Sequence, residues 1–111
     1  MNSLIFLTGN NDKAREVSHI LNQEIEIYKL DLPEIQSINV KEVTLHKIKN
    51  AYKIIGKPCF CEDSGLFIGN TMNGFPGAFI KFYWKSLGAE EICKRNSGYD
   101  VIAKTVIGYH N

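Results

Sequence analysis

The stretch Leu4-Ile5-Phe6-Leu7-Thr8-Gly9-Asn10-Asn11-Asp12-Lys13 constrains this chain more than any other. Four consecutive apolar residues read as a buried strand, and Thr8-Gly9-Asn10 as a tight turn. From Asn11 onward Ala14, Val17 and Leu21 fall on one stripe of a helix. A strand that turns through glycine straight into a helix belongs to an α/β fold, with a sheet flanked by helices. It is also a ready anion site. The N–H groups of the first helical turn have no partner within the helix, and the helix dipole favours negative charge there. Lys13 lies inside that turn, where a cation works against the dipole by about 0.3–1 kcal/mol. An anionic partner would explain it; the plain alternative is a solvated lysine after an ordinary turn. The second glycine that precedes the lysine of a Walker A loop is missing.

Beyond the first helix, Glu24–Leu30 alternates as a second strand, and Asp31-Leu32-Pro33-Glu34 breaks the pattern, because Pro33 disfavours helix at Leu32. Gln36–Asn39 is a loop. Val40 opens a long helix whose Leu45, Ile48, Tyr52 and Ile55 are expected to face the core, with Val40, Val43 and Ala51 lying off that stripe. Lys47 is about 200° round from Leu45 on such a helix, which by itself describes a solvated lysine.

Gly56-Lys57-Pro58 ends the helix, and Cys59-Phe60-Cys61 reads as a short buried strand running into a turn, Glu62-Asp63-Ser64-Gly65. In open α/β sheets ligands gather beyond the carboxyl ends of strands, and both the Thr8–Lys13 and Glu62–Gly65 turns sit at such ends. Two adjacent acids there are candidate Mg²⁺ ligands; the alternative is a turn in which Asp63 or Ser64 caps the next segment. Gly74-Phe75-Pro76-Gly77 is a further turn. Helices are expected over Ala78–Leu87 and Ala89–Arg95, interrupted at Gly88, before a final strand Val101–Tyr109. The aromatic residues of the Ala78–Leu87 helix read as core or interface.

A chain of 111 residues makes one domain, 1–111. Its net charge of +1 argues against nucleic acid or an acidic membrane as partner. No run is long enough to cross a bilayer, and no signal peptide is expected at the N-terminus. The three cysteines lack zinc-site spacing with histidine, so buried thiols in a reducing cytoplasm are the expectation. His19, His46 and His110 are scattered, and no Ser/His/Asp or Cys/His arrangement suggests a covalent intermediate.

Taken in order, Thr8-Gly9-Asn10-x-x-Lys13, Asp31-Leu32-Pro33-Glu34, Lys47, Glu62-Asp63-Ser64-Gly65-Leu66 and Gly74-Phe75-Pro76-Gly77-x-x-Ile80-Lys81 resemble the inosine triphosphate pyrophosphatase family. The resemblance runs from about Ile5 to Tyr109. It implies the N-terminal portion of that family's fold, a mixed sheet flanked by helices. It implies hydrolysis of non-standard purine nucleoside triphosphates (ITP, dITP, XTP) to monophosphate and pyrophosphate, with Mg²⁺, or Mn²⁺ in its place, as cofactor. Thr8, Gly9, Asn10, Asn11, Asp12 and Lys13 would hold the triphosphate. Lys47 and Lys81 would add positive charge, and Ser64 would contact the nucleotide. Glu34 and Asp63 would be the metal ligands. Asp63 would also position the attacking water, making Asp63 and Lys13 the catalytic pair, with Glu62 in a supporting role.

Members of that family continue beyond the length seen here, into motifs that grip the purine base: Phe-Gly-Tyr/Trp-Asp, Ala-Glu and Ser-His-Arg. Neither Phe-Gly-Tyr/Trp-Asp nor Ser-His-Arg occurs among these 111 residues. The phosphate-and-metal half of the site is then expected without the base-reading half. The alternative to an enzyme is a truncated, inactive module that binds triphosphate or serves in assembly. The final strand is expected to offer an unpaired edge, so a homodimer or other self-association is expected.

Overall fold

β1 (Leu4–Leu7) is hydrogen-bonded on both sides by parallel partners. In this computed structural model, which describes residues 4–69 and 72–111, it is followed by α1 (Asn11–Leu21), β2 (Ile25–Tyr28), α2 (Val40–Ile55) and β3 (Cys59–Ile68). A single turn over Met72–Gly74, β4 (Pro76–Gly77), α3 (Ile80–Arg95) and β5 (Val101–His110) complete the order. Two compact units are distinguished. One comprises Met1–Glu34, Thr44–Glu62 and Ile107–Asn111; the other comprises Ile35–Val43 and Asp63–Val106.

In the first unit the register is Leu4↔Ile25 through Leu7↔Tyr28 on one side of β1, and Ile5↔Cys59 and Phe6↔Phe60 on the other. Strand side chains alternate between faces, and two apolar layers result. Ile5, Leu7, Cys59 and Cys61 pack with Ile48 and Ala51 of α2. Phe6 and Phe60 pack with Ala14 of α1, their rings stacked at 4.5 Å. Each buried Ile, Leu or Phe among them contributes about 1.5–3 kcal/mol.

α1 starts where the sequence places it. Asn10 is its N-cap, its side chain accepting from the Lys13 N–H, and Asn22 ends it in the left-handed conformation, φ 49°. Leu21, expected on the buried stripe, is 48% exposed; the strand layer is covered by Ala14 and Val17 before the helix reaches its last turn. α2 differs in the same way. Val40, Val43, Thr44, Ile48 and Ala51 are its buried positions, whereas Leu45 is 49% exposed. Ile48, Tyr52 and Ile55 of the expected stripe do pack in the core, so Leu45 alone departs from it. Small Thr44 and Ala51 let the helix lie close, and Gly108 of β5 leaves room for Thr44 and Ile48.

In the second unit the expected Glu62–Gly65 turn is absent: β3 runs on to Ile68. Pairing holds it extended. Leu66↔Gly77 and Phe67↔Pro76 form an antiparallel ladder with β4, which makes the sheet mixed. Gly65 is required for that approach, because a Cβ there would run into the Val40 side chain and the Gly77 backbone. Gly77 has φ +51° and lies against Ile38, whose carbonyl accepts from Ala78 N–H at 2.9 Å. α3 is interrupted at Gly88, φ 78° and ψ 163°, where the sequence marks a break. β5 pairs with β3, and Val101, Ile102, Ile107 and Tyr109 along it are exposed. Among the described residues no helix is long and apolar enough to cross a membrane.

Candidate functional site

β1 and β2 end side by side, and their carboxyl ends open into a cavity of about 400 Å³. The position follows from the connections. From β1 the chain crosses through α1 to β2 on one side, and later through α2 to β3 on the other. The strand order therefore changes direction beside β1, where an open α/β sheet leaves a crevice. Thr8 and Gly9 form one wall, Tyr28 and Leu32 another, and Glu34 and Lys47 supply charge. The alternating Tyr28, Leu30 and Leu32 also pack against the α2-side core. That packing holds the extended Lys29–Glu34 segment against the sheet.

The turn is built by its own side chains. Thr8 N–H donates to the Tyr28 carbonyl at 3.2 Å, tying β1 to β2. Thr8 Oγ1 accepts from Asn10 N–H and Asn10 Oδ1 from Lys13 N–H, both at 3.1 Å. The N–H groups of Asn11 and Asp12 belong to the first turn of α1, with no carbonyl a turn earlier to bond.

Both lysines of this unit's expected site are already paired with acids. Lys13 Nζ bonds Glu62 Oε1, an acid whose side chain is 17% exposed. The anionic partner that its place in the first helical turn calls for is thus a carboxylate of the same chain. Lys47 Nζ lies 3.4 Å from Glu34 Oε1. Glu34, Lys47, Thr8 and Gly9 share one cavity. Asn11 and Asp12 are exposed, and Asp12 pairs with Arg15.

Asp63, Ser64 and Lys81 belong to the second unit. Asp63 follows Glu62 on β3, and its Oδ2 is shut off from solvent. The Ser64 hydroxyl is 2.9 Å from that of Thr105. Lys81 is exposed in the first turn of α3.

Among the described residues no three His, Cys, Asp or Glu side chains converge as a self-sufficient metal site would. The donors present suit a hard divalent cation that takes one or two carboxylates and completes its shell with phosphate oxygens and water. None of the three cysteines forms a disulfide; Cys59 and Cys61 are buried and Cys93 exposed, and burial pushes the Cys59 thiol pKa up.

The Glu62 partnership was not legible from spacing, since it joins residues 49 apart. Tyr28 and Leu32 as cavity walls had a signal: with Leu30 they alternate at period two from the last residue of β2 onward, out of phase with Ile25 and Ile27.

The sequence model of the Ham1 family matches residues 4–106. The chain is 41% identical over 101 residues to the inosine triphosphate pyrophosphatase of Yarrowia lipolytica, an alignment covering 88% of this chain and 53% of that protein. It is 37% identical over 98 residues to a dITP/XTP pyrophosphatase of Methanopyrus kandleri, covering 86% and 52%. Among solved structures, a HAM1 protein from Coxiella burnetii has the same fold, with a TM-score of 0.72 at 24% identity over 98% of this chain and 63% of that one. The chain spans about half the length of the curated relatives it matches.

Proposed function

The chain belongs to the Ham1 family, and from that premise we propose that it acts on non-standard purine nucleoside triphosphates, releasing monophosphate and pyrophosphate. The observation that carries this reading is the cavity at the carboxyl ends of β1 and β2, where Thr8, Gly9, Glu34 and Lys47 meet. Relatives named for inosine triphosphate and for dITP/XTP support the substrate class.

Hydrolysis between the α- and β-phosphates needs three things: charge neutralisation on a polyanion, a placed water and a stabilised leaving group. Lys47, on the cavity wall, and Lys13, in the first turn of α1, neutralise the phosphates. The N–H groups of Asn11 and Asp12 donate to phosphate oxygens at the helix end. Glu34 would hold Mg²⁺ or Mn²⁺, which when bound supplies Lewis-acid stabilisation of the phosphates. Asp63 has the role of second metal ligand and of orienting and deprotonating the water, on the strength of the family resemblance. Ser64 and Lys81 are nucleotide contacts on the same ground. A reducing cytoplasm is the setting that goes with this reading.

The test is pyrophosphate release from inosine triphosphate by the 111-residue chain with Mg²⁺, compared with Asp63→Asn. Removal of a general base lowers the rate by about 10²–10⁴-fold; equal rates would take Asp63 out of the mechanism. A second reading follows from the chain's spanning half the length of its relatives: a module that binds triphosphate without base preference and turns nothing over. Binding without pyrophosphate release selects it.

A further inference from the structure

We propose that the Lys47–Glu34 pair is an exchange point, in which ammonium and divalent cation compete for one carboxylate, so that cation and polyphosphate promote each other's binding. This rests on the reading of the cavity as a metal–polyphosphate site and adds how that site behaves before its ligands arrive. Lys47 Nζ is 3.4 Å from Glu34 Oε1, and both line the same cavity. The acid that would hold the cation is therefore engaged by the lysine that would hold the phosphate. Lys13 and Glu62 repeat the arrangement in the same unit. Lys13 and Lys47 thus each have an internal carboxylate as stand-in anion.

A divalent cation arriving alone must displace the Lys47 ammonium from Glu34. A polyphosphate arriving alone must draw Lys47 away from that carboxylate. When both arrive, Glu34 turns to the cation and Lys47 to a phosphate oxygen, and neither charge is left unmatched. Coupling of this kind is reciprocal: whatever factor one ligand gains from the other, it returns.

The test uses the whole chain with Mn²⁺ alone, free Mn²⁺ being read by electron paramagnetic resonance, and separately with tripolyphosphate alone, read by calorimetry. Lys47→Gln should tighten Mn²⁺ binding by about three- to fivefold, the size a partly exposed ion pair supports. Lys29→Gln, on the same cavity wall, reports the general effect of removing one positive charge, and Lys47→Gln must exceed it. Glu34→Gln should tighten metal-free tripolyphosphate binding beyond the change given by Asp31→Asn, its counterpart on that wall. Near-UV circular dichroism identifies folded variants, and Lys47→Met and Glu34→Ala serve where a first choice does not fold.

If Lys47→Gln does no more than Lys29→Gln while Glu34→Gln weakens Mn²⁺ binding, the competition is overturned and Glu34 remains the metal ligand. If Glu34→Gln binds Mn²⁺ as the wild type does, the metal role of Glu34 falls, and the exchange falls with it.

Discussion

Lys13 in the first turn of α1 is held by Glu62 of β3, a partner 49 residues further along the chain. The pair offsets the unfavourable placement of a cation at a helix N-terminus. Lys13 shares the first turn of α1 with Asn11 and Asp12, whose N–H groups would receive a phosphate in the proposed function. Lys13→Ala should weaken triphosphate binding by about 1.5–3 kcal/mol, the range for a charge-assisted hydrogen bond. Isothermal titration with inosine triphosphate checks this, and an unchanged Kd refutes the role.

The turn that presents α1 depends on Asn10. Its side chain accepts from Lys13 N–H, and nothing else in the cap replaces that bond once the amide is gone. Asn10→Ala should destabilise the fold by about 0.5–2 kcal/mol. Urea unfolding should show a lower midpoint with an unchanged slope; a midpoint equal to the wild type's would mean the cap bond is not formed in solution.

Thiol chemistry separates the three cysteines. Cys93 is exposed while Cys59 and Cys61 are buried, so a disulfide reagent should label one thiol quickly and two only on unfolding. Burial raises the Cys59 pKa, which fixes the sign of its pH effect. Below the ordinary thiol range both folded and unfolded forms are protonated and stability is unaffected. Above it the unfolded chain ionises first, and stability falls with rising pH. Cys59→Ala should flatten that alkaline decline; an identical decline in the variant would assign it to other groups.

β5 carries Val101, Ile102, Ile107 and Tyr109 exposed, an apolar load unusual for a strand facing water and a template for pairing with another chain. Sedimentation velocity should show concentration-dependent self-association, reduced by Ile107→Lys. A strictly monomeric species at all concentrations would count against it.

Much of this architecture is local enough to be read from the chain. Leu4–Leu7 turning through Gly9 into an Asn10-capped helix, the break at Pro33, and the interruption of α3 at Gly88 each rest on residues within a few positions of one another. What escapes is set by distant partners. Glu62–Gly65 looks like a turn because acids, serine and glycine favour one, yet Gly77, a dozen residues on, pairs with Leu66 and draws the stretch into β3. Leu45 looks like core because apolar residues recur at helical spacing from it, but close approach to the strands favours the face with Thr44 and Ala51. At the site, strand ends and a glycine turn mark the place, whereas the Lys13–Glu62 and Lys47–Glu34 pairings are made only by tertiary packing.

β1 takes both of its neighbours in parallel, and no tight hairpin can make a parallel pair. Each neighbour arrives only after a helix-long excursion, so the floor of the cavity is woven from chain segments that meet late in folding. A partly folded chain has no such floor to offer. On the proposed function, polyphosphate would thereby be a ligand of the finished molecule alone, and by mass action its presence would guard the protein against unfolding and degradation.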